Sequence, residues 1–196
     1  MHRYFIIYKP YLVLSQFSAS VEGQRTLKDV FDLPADVYPV GRLDRDSEGL
    51  LILTNDASLN HRLLDPSFRH EREYWVQVDG TIIETAVRQL RAGVDITVAG
   101  SRYHTLPCQV AIFETPAAVP ERNPPVRFRK NIPTSWISLT LVEGKNRQVR
   151  KMTAAVGFPT LRLIRHRIGG ITRGDLQPGD MVELKKESIF RNLFLL

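Results

Sequence analysis

The chain has a single cysteine, Cys108, among its 196 residues. One thiol cannot staple the chain to itself, so a disulfide-built secreted scaffold is excluded and a reducing, cytosolic setting fits best. Long apolar runs are missing too, and none approaches the ~18–20 residues that a membrane-spanning helix needs. Met1-His2-Arg3 leads straight into Tyr4-Phe5-Ile6-Ile7-Tyr8 and then Lys9-Pro10, too short and too soon broken for a secretory leader. There is no internal repeat and no low-complexity tract. Acidic residues are absent from 145 to 173, where eight Lys or Arg occur, so the net charge of +6 is unevenly spread. Such a stretch repels itself unless a polyanion or an acidic face balances it. Nucleic acid is the natural functional partner, because Lys and Arg neutralising phosphates supply most non-specific affinity. A solvated face of a basic protein has the same composition.

What is present is an ordinary globular composition, 43% hydrophobic and 24% charged, enough for one large domain or two small subdomains sharing a cleft. Residues 4–8 read as a strand, ended by Pro10, and a second, short apolar run follows at 13–14. Thr26 caps a brief helix at 27–31. The continuous apolar run 50–53 reads as a strand buried on both faces. Thr54-Asn55-Asp56 is a turn and cap before a helix that ends near Leu64. Strand 74–78 alternates, with Tyr74, Val76 and Val78 on one side. Thr81 and Glu84 have the spacing of a capping box for a helix stopped by Gly93. Residues 117–133, rich in Pro and Arg, read as an exposed loop or finger. A strand at 136–142 is followed by a helix at about 146–156 with Val149, Met152 and Val156 inward. Strands at 161–164 and 181–184 and a docking helix at 187–194 complete the chain. Strands outnumber helices and follow one another through turns. That order predicts α+β with a mixed, largely antiparallel central sheet and flanking helices.

Three segments carry polar groups suited to chemistry. In Gly41-Arg42-Leu43-Asp44-Arg45-Asp46-Ser47-Glu48-Gly49, charged residues abut the most buried strand, and Asp44 stands between arginines that favour an ionised carboxylate. A carboxylate held so can attack an electrophilic carbon; taken alone, the segment reads rather as a solvated turn with incidental acids. In extended backbone Asp44 and Asp46 would share a side, ~6–7 Å apart, but the adjacent arginines oppose a metal there. In Glu71-Arg72-Glu73-Tyr74-Trp75-Val76 a strand tyrosine could stack on a base or move a proton, or be core with its hydroxyl at the rim. In Glu143-Gly144-Lys145-Asn146-Arg147-Gln148-Val149-Arg150-Lys151, Arg147, Arg150 and Lys151 fall at i, i+3 and i+4 of the expected helix, on one face suited to phosphate.

Taken together, Gly-Arg-Leu-Asp before Gly-Leu-Leu-Ile-Leu-Thr-Asn-Asp, basic-x-Tyr-x-Val, Glu-Gly-Lys-Asn-Arg-Gln-Val-Arg and Leu163-Ile164-Arg165-His166-Arg167-Ile168-Gly169 occur in that order. The chain thereby resembles the ribosomal pseudouridine synthase family of the small-subunit synthase A type, from Lys9-Pro10 to Pro178-Gly179. The resemblance implies the family's catalytic fold over 1–196, in two subdomains around a cleft. It implies Asp44 as the essential aspartate, Tyr74 against the base and Arg150 paired with the aspartate. Arg42, Leu43 and Leu163 would line the pocket, and Arg72, Lys145, Arg147, Lys151, Arg165 and Arg167 would hold RNA. Arg72 stands where the family usually has Lys. The family often shows Lys-Pro-x-Gly, whereas Lys9-Pro10-Tyr11-Leu12 lacks the glycine, which makes Lys9 and Pro10 poor catalytic candidates. No amino-terminal S4-type RNA-binding domain is expected, since the chain starts at the catalytic-domain strand. The implied chemistry needs no metal and no cofactor. Its substrate would be a uridine of large-subunit (23S) ribosomal RNA, naked or in a pre-ribosomal particle, met by a monomeric, cytoplasmic enzyme. An RNA-binding ribosome-assembly factor is the rival reading.

Overall fold

A strand covered on both faces has no solvent side to keep polar, and in Glu48–Thr54 every residue is buried. The computed structural model describes residues 1–127 and 132–194. In chain order these form β1 (Tyr4–Lys9), β2 (Val13–Leu14), β3 (Arg25–Thr26), β4 (Tyr38–Pro39), β5 (Glu48–Thr54), α1 (Ala57–Leu64), β6 (Arg72–Asp79) and α2 (Glu84–Ala92). There follow β7 (Asp95–Val98), β8 (Ser101–His104), β9 (Gln109–Ile112), β10 (Thr134–Leu141), α3 (Gln148–Ala155), β11 (Thr160–Ile168), β12 (Ile171–Thr172), β13 (Met181–Leu184) and α4 (Lys186–Phe194). The fold is the expected α+β with largely antiparallel pairing. It divides into two units, one made of Met1–His70 together with the chain from Ile164 onward, the other of Glu71–Leu163.

In the first unit β1 lies antiparallel between β13 and β5, with Lys9 opposite Gly49. The later part of β11 runs parallel to β5, pairing Ile164 with Glu48 and Arg165 with Gly49. Gly49 is required at this crossing: its φ is +101°, and a Cβ there would lie 2.4 Å from the Arg165 carbonyl oxygen. The period of two sorts β5 between two cores. Leu50 and Ile52 pack with Leu59 and Leu63 of α1 and Ile189 and Leu193 of α4, while Leu51 and Leu53 pack with Val13, Leu27 and Phe31. Asp56 caps α1 as expected, accepting from the N–H groups of Ser58 and Leu59 at 3.0 and 3.2 Å. The expected helix at 27–31 is a 3-10 turn, Leu27–Asp29, whose Asp29 carboxylate accepts from the Thr26 N–H and hydroxyl.

In the second unit β6, β10 and β9 pair antiparallel, so Tyr74 lies opposite Leu139 and Arg72 opposite Leu141. Val76, Val78, Ile137 and Leu139 form one apolar face with Val87 and Leu90 of α2 and Val149 and Met152 of α3. One local expectation fails, and three strands carried no signal in the sequence. The helix after Thr81 takes Ile83 as its N-cap with no side-chain bond, because the preceding N–H, on Ile82, goes to the Ser135 hydroxyl at 2.9 Å. The hairpin β7–β8 and the strand β9 carry at most one buried residue each, too weak a pattern to read as strands. The expected loop at 117–133 holds no helix or strand among its described residues, and 128–131 lie outside them. It is partly pinned: the buried Arg162 guanidinium donates to the Pro120 carbonyl at 2.7 Å.

Candidate active site

Asp44 sits in the first unit, on the loop that delivers the chain into β5. Its carbonyl accepts the Ser47 N–H at 3.0 Å, a turn and not extended backbone, so Asp44 and Asp46 do not stand as alternate residues of a strand. Asp44 is half-buried; Arg42, exposed, reaches the Gln16 side-chain oxygen at 3.3 Å. Leu43 is 6% exposed and held through its backbone: its N–H donates to the Ser15 hydroxyl at 3.0 Å, and the hydroxyl donates back to its carbonyl at 2.8 Å. On the other side of Asp44, the Leu12 N–H donates to the Arg45 carbonyl at 2.8 Å.

Behind this loop lies a group of buried charges that the sequence did not announce. Lys9 is fully buried at the end of β1, and its ammonium donates to the carbonyls of Pro10 and Val13 at 2.9 and 2.7 Å. Loss of solvent pulls its pKa from 10.5 down to about 7, against the attraction of Glu48, and the positive Arg165 pushes the same way as burial. Asp46 and Asp44 lie within electrostatic reach and favour the charged lysine. Glu48 and Arg165 are themselves 1% and 4% exposed. Arg165 was expected to hold RNA. Instead its Nε donates to the Leu50 carbonyl at 2.8 Å inside the unit, so it is a structural cation of the core. Arg167, two residues on, is half-buried, and its guanidinium donates to the Gly169 carbonyl at 2.7 Å.

The remaining expected residues belong to the second unit. Tyr74 is half-buried on β6 and packs at the margin of the apolar face. Arg72 is half-buried two residues earlier, at the same face of the strand. Trp75 points the other way, edge-on to Phe113 with centroids 5.3 Å apart, as a packing residue. Leu163 is 5% exposed and packs in the apolar core.

The basic motif after β10 is built around two of its non-basic members, Glu143 and Gln148. Glu143 accepts from the Tyr103 hydroxyl at 2.5 Å, the Leu106 N–H at 2.9 Å and the Gln148 amide at 2.5 Å. The Gln148 side-chain oxygen Oε1 in turn accepts the Lys145 N–H at 2.8 Å. This closes the turn and leaves Lys145, Asn146 and Arg147 exposed, the Lys145 ammonium 4.8 Å from the Tyr103 ring centroid. The helix starts at Gln148, later than expected, because Arg147 is its N-cap with φ +52°. Arg147 therefore does not share a helical face with Arg150 and Lys151, which are half-buried within α3.

The structure thus brings Arg42, Leu43, Asp44, Arg165 and Arg167 together in one unit, and Arg72, Tyr74, Lys145, Arg147, Arg150, Lys151 and Leu163 in the other. Residues that sequence reasoning passed over are Lys9, Leu12, Ser15, Glu143 and Gln148. Their spacing carried no signal of burial, and Lys9 was set aside because position 12 is not glycine. Leu12 nonetheless adopts the conformation a glycine would take there, φ +62°.

Residues 3–155 match the family of RNA pseudouridylate synthases, and the chain belongs to that family. It is an isomerase that makes pseudouridine. The ribosomal large subunit pseudouridine synthase E of Vibrio parahaemolyticus is 51% identical over 180 residues, 92% of this chain and 73% of that protein. The protein of the same name from Xanthomonas axonopodis pv. citri is 50% identical over 165 residues, 84% of each chain. Among solved structures, a crystal structure of a pseudouridylate synthase superposes with a TM-score of 0.78 at 26% identity, covering 98% of this chain and 74% of that one. No helix among the described residues is long and apolar enough to cross a membrane.

Proposed function

We propose that the chain converts one uridine of large-subunit (23S) ribosomal RNA to pseudouridine, as a ribosomal large-subunit synthase of the E kind, within the branch typified by the small-subunit synthase A. The observation that carries this reading is Asp44: a half-buried carboxylate whose two neighbours, Leu43 and Arg45, are both tied down through their backbones. Asp44 is the nucleophile. By their places in the family's motifs, Tyr74 is the active-site tyrosine and Arg150 the active-site arginine. Arg42, Leu43 and Leu163 wall the base pocket. Lys145, Arg147, Lys151, Arg72 and Arg167 supply phosphate contacts, with the loop 117–133 selecting the RNA. Arg165 drops out of that set because it is buried.

The reaction is an isomerisation, so nothing is consumed. The bond from uracil N1 to the ribose C1′ breaks, the uracil turns in place, and C5 bonds to C1′. The C5 proton leaves and N1 gains one. A uridine stacked in folded RNA must first be flipped out, at a cost of a few kcal/mol. Phosphate contacts from the exposed Lys145-Asn146-Arg147 turn offset that cost. The test is incubation with 23S transcript in EDTA, followed by carbodiimide and primer extension to map pseudouridine. One strong stop at a uridine, absent with Asp44→Asn, is the expected result. RNA binding without product, or product from Asp44→Asn, would overturn it; the first of these describes an assembly factor.

A further inference from the structure

The Ser15 side chain does something unusual for a serine that is 4% exposed: its hydroxyl bonds twice to one residue, accepting from the Leu43 N–H at 3.0 Å and donating to the Leu43 carbonyl at 2.8 Å. In a sheet, a backbone partner satisfies both polar groups of a residue; here a single hydroxyl does it, for a residue that lies outside every strand. The residue so held directly precedes Asp44. The residue that directly follows, Arg45, is held through its carbonyl by the Leu12 N–H at 2.8 Å. Leu12 can present that N–H only by taking φ +62°, a conformation that disfavours a leucine. Lys9, fully buried, fixes the same segment from below by donating to the carbonyls of Pro10 and Val13. One short stretch, 9–15, therefore grips the chain on both sides of one carboxylate, and it does so through backbone groups of the neighbouring residues.

We infer that Ser15 is a positioning residue for the nucleophile, setting the backbone from which Asp44 reaches the reacting carbon. The inference rests on the reading of Asp44 as nucleophile. A nucleophile works from a near-attack distance, and a displacement of ~1 Å can cost about a hundredfold in rate. Removing the hydroxyl leaves the buried Leu43 N–H and carbonyl without their partner, and the loop shifts to satisfy them. RNA affinity comes from phosphate contacts elsewhere and is not touched.

Four proteins are compared under single-turnover conditions with saturating RNA: wild type, Asp44→Asn, Ser15→Ala and Ser15→Thr. RNA affinity and thermal midpoint are measured on each. Ser15→Ala is expected to slow conversion by about tenfold to a hundredfold with RNA affinity within about twofold. Ser15→Thr, which restores the hydroxyl, is expected to regain most of the rate. If Ser15→Ala does not fold, Ser15→Cys takes its place, since a thiol fills the site but is a weaker donor and acceptor; it should slow conversion several-fold. A lowered thermal midpoint with a wild-type rate, in whichever variant folds, overturns the positioning role. An inactive wild type or an active Asp44→Asn instead overturns the underlying reading of the nucleophile, so the two failures are told apart.

Discussion

Two loops of this protein present polar residues beside a strand, and they are held in opposite ways. The loop around Asp44 is gripped from outside, by the Ser15 hydroxyl and the Leu12 N–H acting on backbone groups next to the carboxylate. The turn 143–148 is held through side chains of its own motif, Glu143 and Gln148, with Glu143 also tying it to Tyr103 and Leu106, and it leaves Lys145 and Arg147 exposed. A short aspartate has little reach, so its backbone must be placed. Long Lys and Arg side chains find phosphates by themselves and need only a rigid base. Chemistry calls for a fixed atom, while RNA attachment calls for a flexible charge.

The contrast can be broken most severely at Asp44 itself. Asp44→Asn should lower product formation by at least about a thousandfold while RNA binding, measured by filter retention, stays within a few-fold. Retained turnover would remove the reason for the outside grip. Next in size is Gly49→Ala. A methyl group driven against the Arg165 carbonyl at a positive φ should destabilise by about 3 kcal/mol or more, read as a drop in the chemical denaturation midpoint. A neutral result would show that β5 and β11 can part without loss.

Lys9 tests the support beneath the Asp44 loop. Its folded pKa of about 7 lies below the ordinary 10.5, mainly because burial disfavours the charge. Between these values the unfolded chain holds a proton that the folded chain has released, so stability should rise with pH, by at most about 1.4 kcal/mol per pH unit. Below pH 7 both states are protonated and the dependence vanishes. Cys108, pushed up to about 11 mainly by burial, works in the opposite direction as pH climbs past its ordinary value of 9, so the window to examine is pH 7 to 9. Lys9→Met should flatten that slope; an unchanged slope would assign it to other groups. The smallest effect belongs to the second loop. Lys145→Ala with Arg147→Ala should weaken RNA binding evenly across sequences and reduce the salt slope by about 2, with the single-turnover rate at saturation nearly unchanged. A large loss of rate would make this turn part of the chemistry.

Much of the fold was legible because burial follows pattern. The run at 50–53, the cap at Asp56 and the inward stripe of Val149 and Met152 all declare themselves by period. The strands β7 to β9 did not, since most of their side chains are exposed and each strand buries at most one. Asp44 was visible through its motif, but the charges around it were not sorted. Arg165 and Arg167 look alike in sequence and, two apart on β11, share a face; what separates them is position along the strand, Arg165 opposite Gly49 of β5 and Arg167 opposite Thr172 of β12. Lys9 was set aside as a catalytic candidate for want of a glycine at 12, and its buried structural place was not legible; the need at 12 is for a backbone angle, and Leu12 meets it under strain. Ser15 carries no mark at all, since a serine that grips a distant backbone looks like any other.

The division of the chain also orders its synthesis. The second unit is one continuous stretch, Glu71–Leu163, whereas the first is made from both ends. A growing chain supplies the second unit whole while the later part of β11, β12, β13 and α4 are still to come. The strand that crosses Gly49 and the helix that covers Leu50 and Ile52 arrive last. The unit that holds Asp44 is therefore the late one: it closes only once β13 and α4 have been made, and a chain interrupted before them carries a finished turn at 143–148 and an unfinished Asp44 loop.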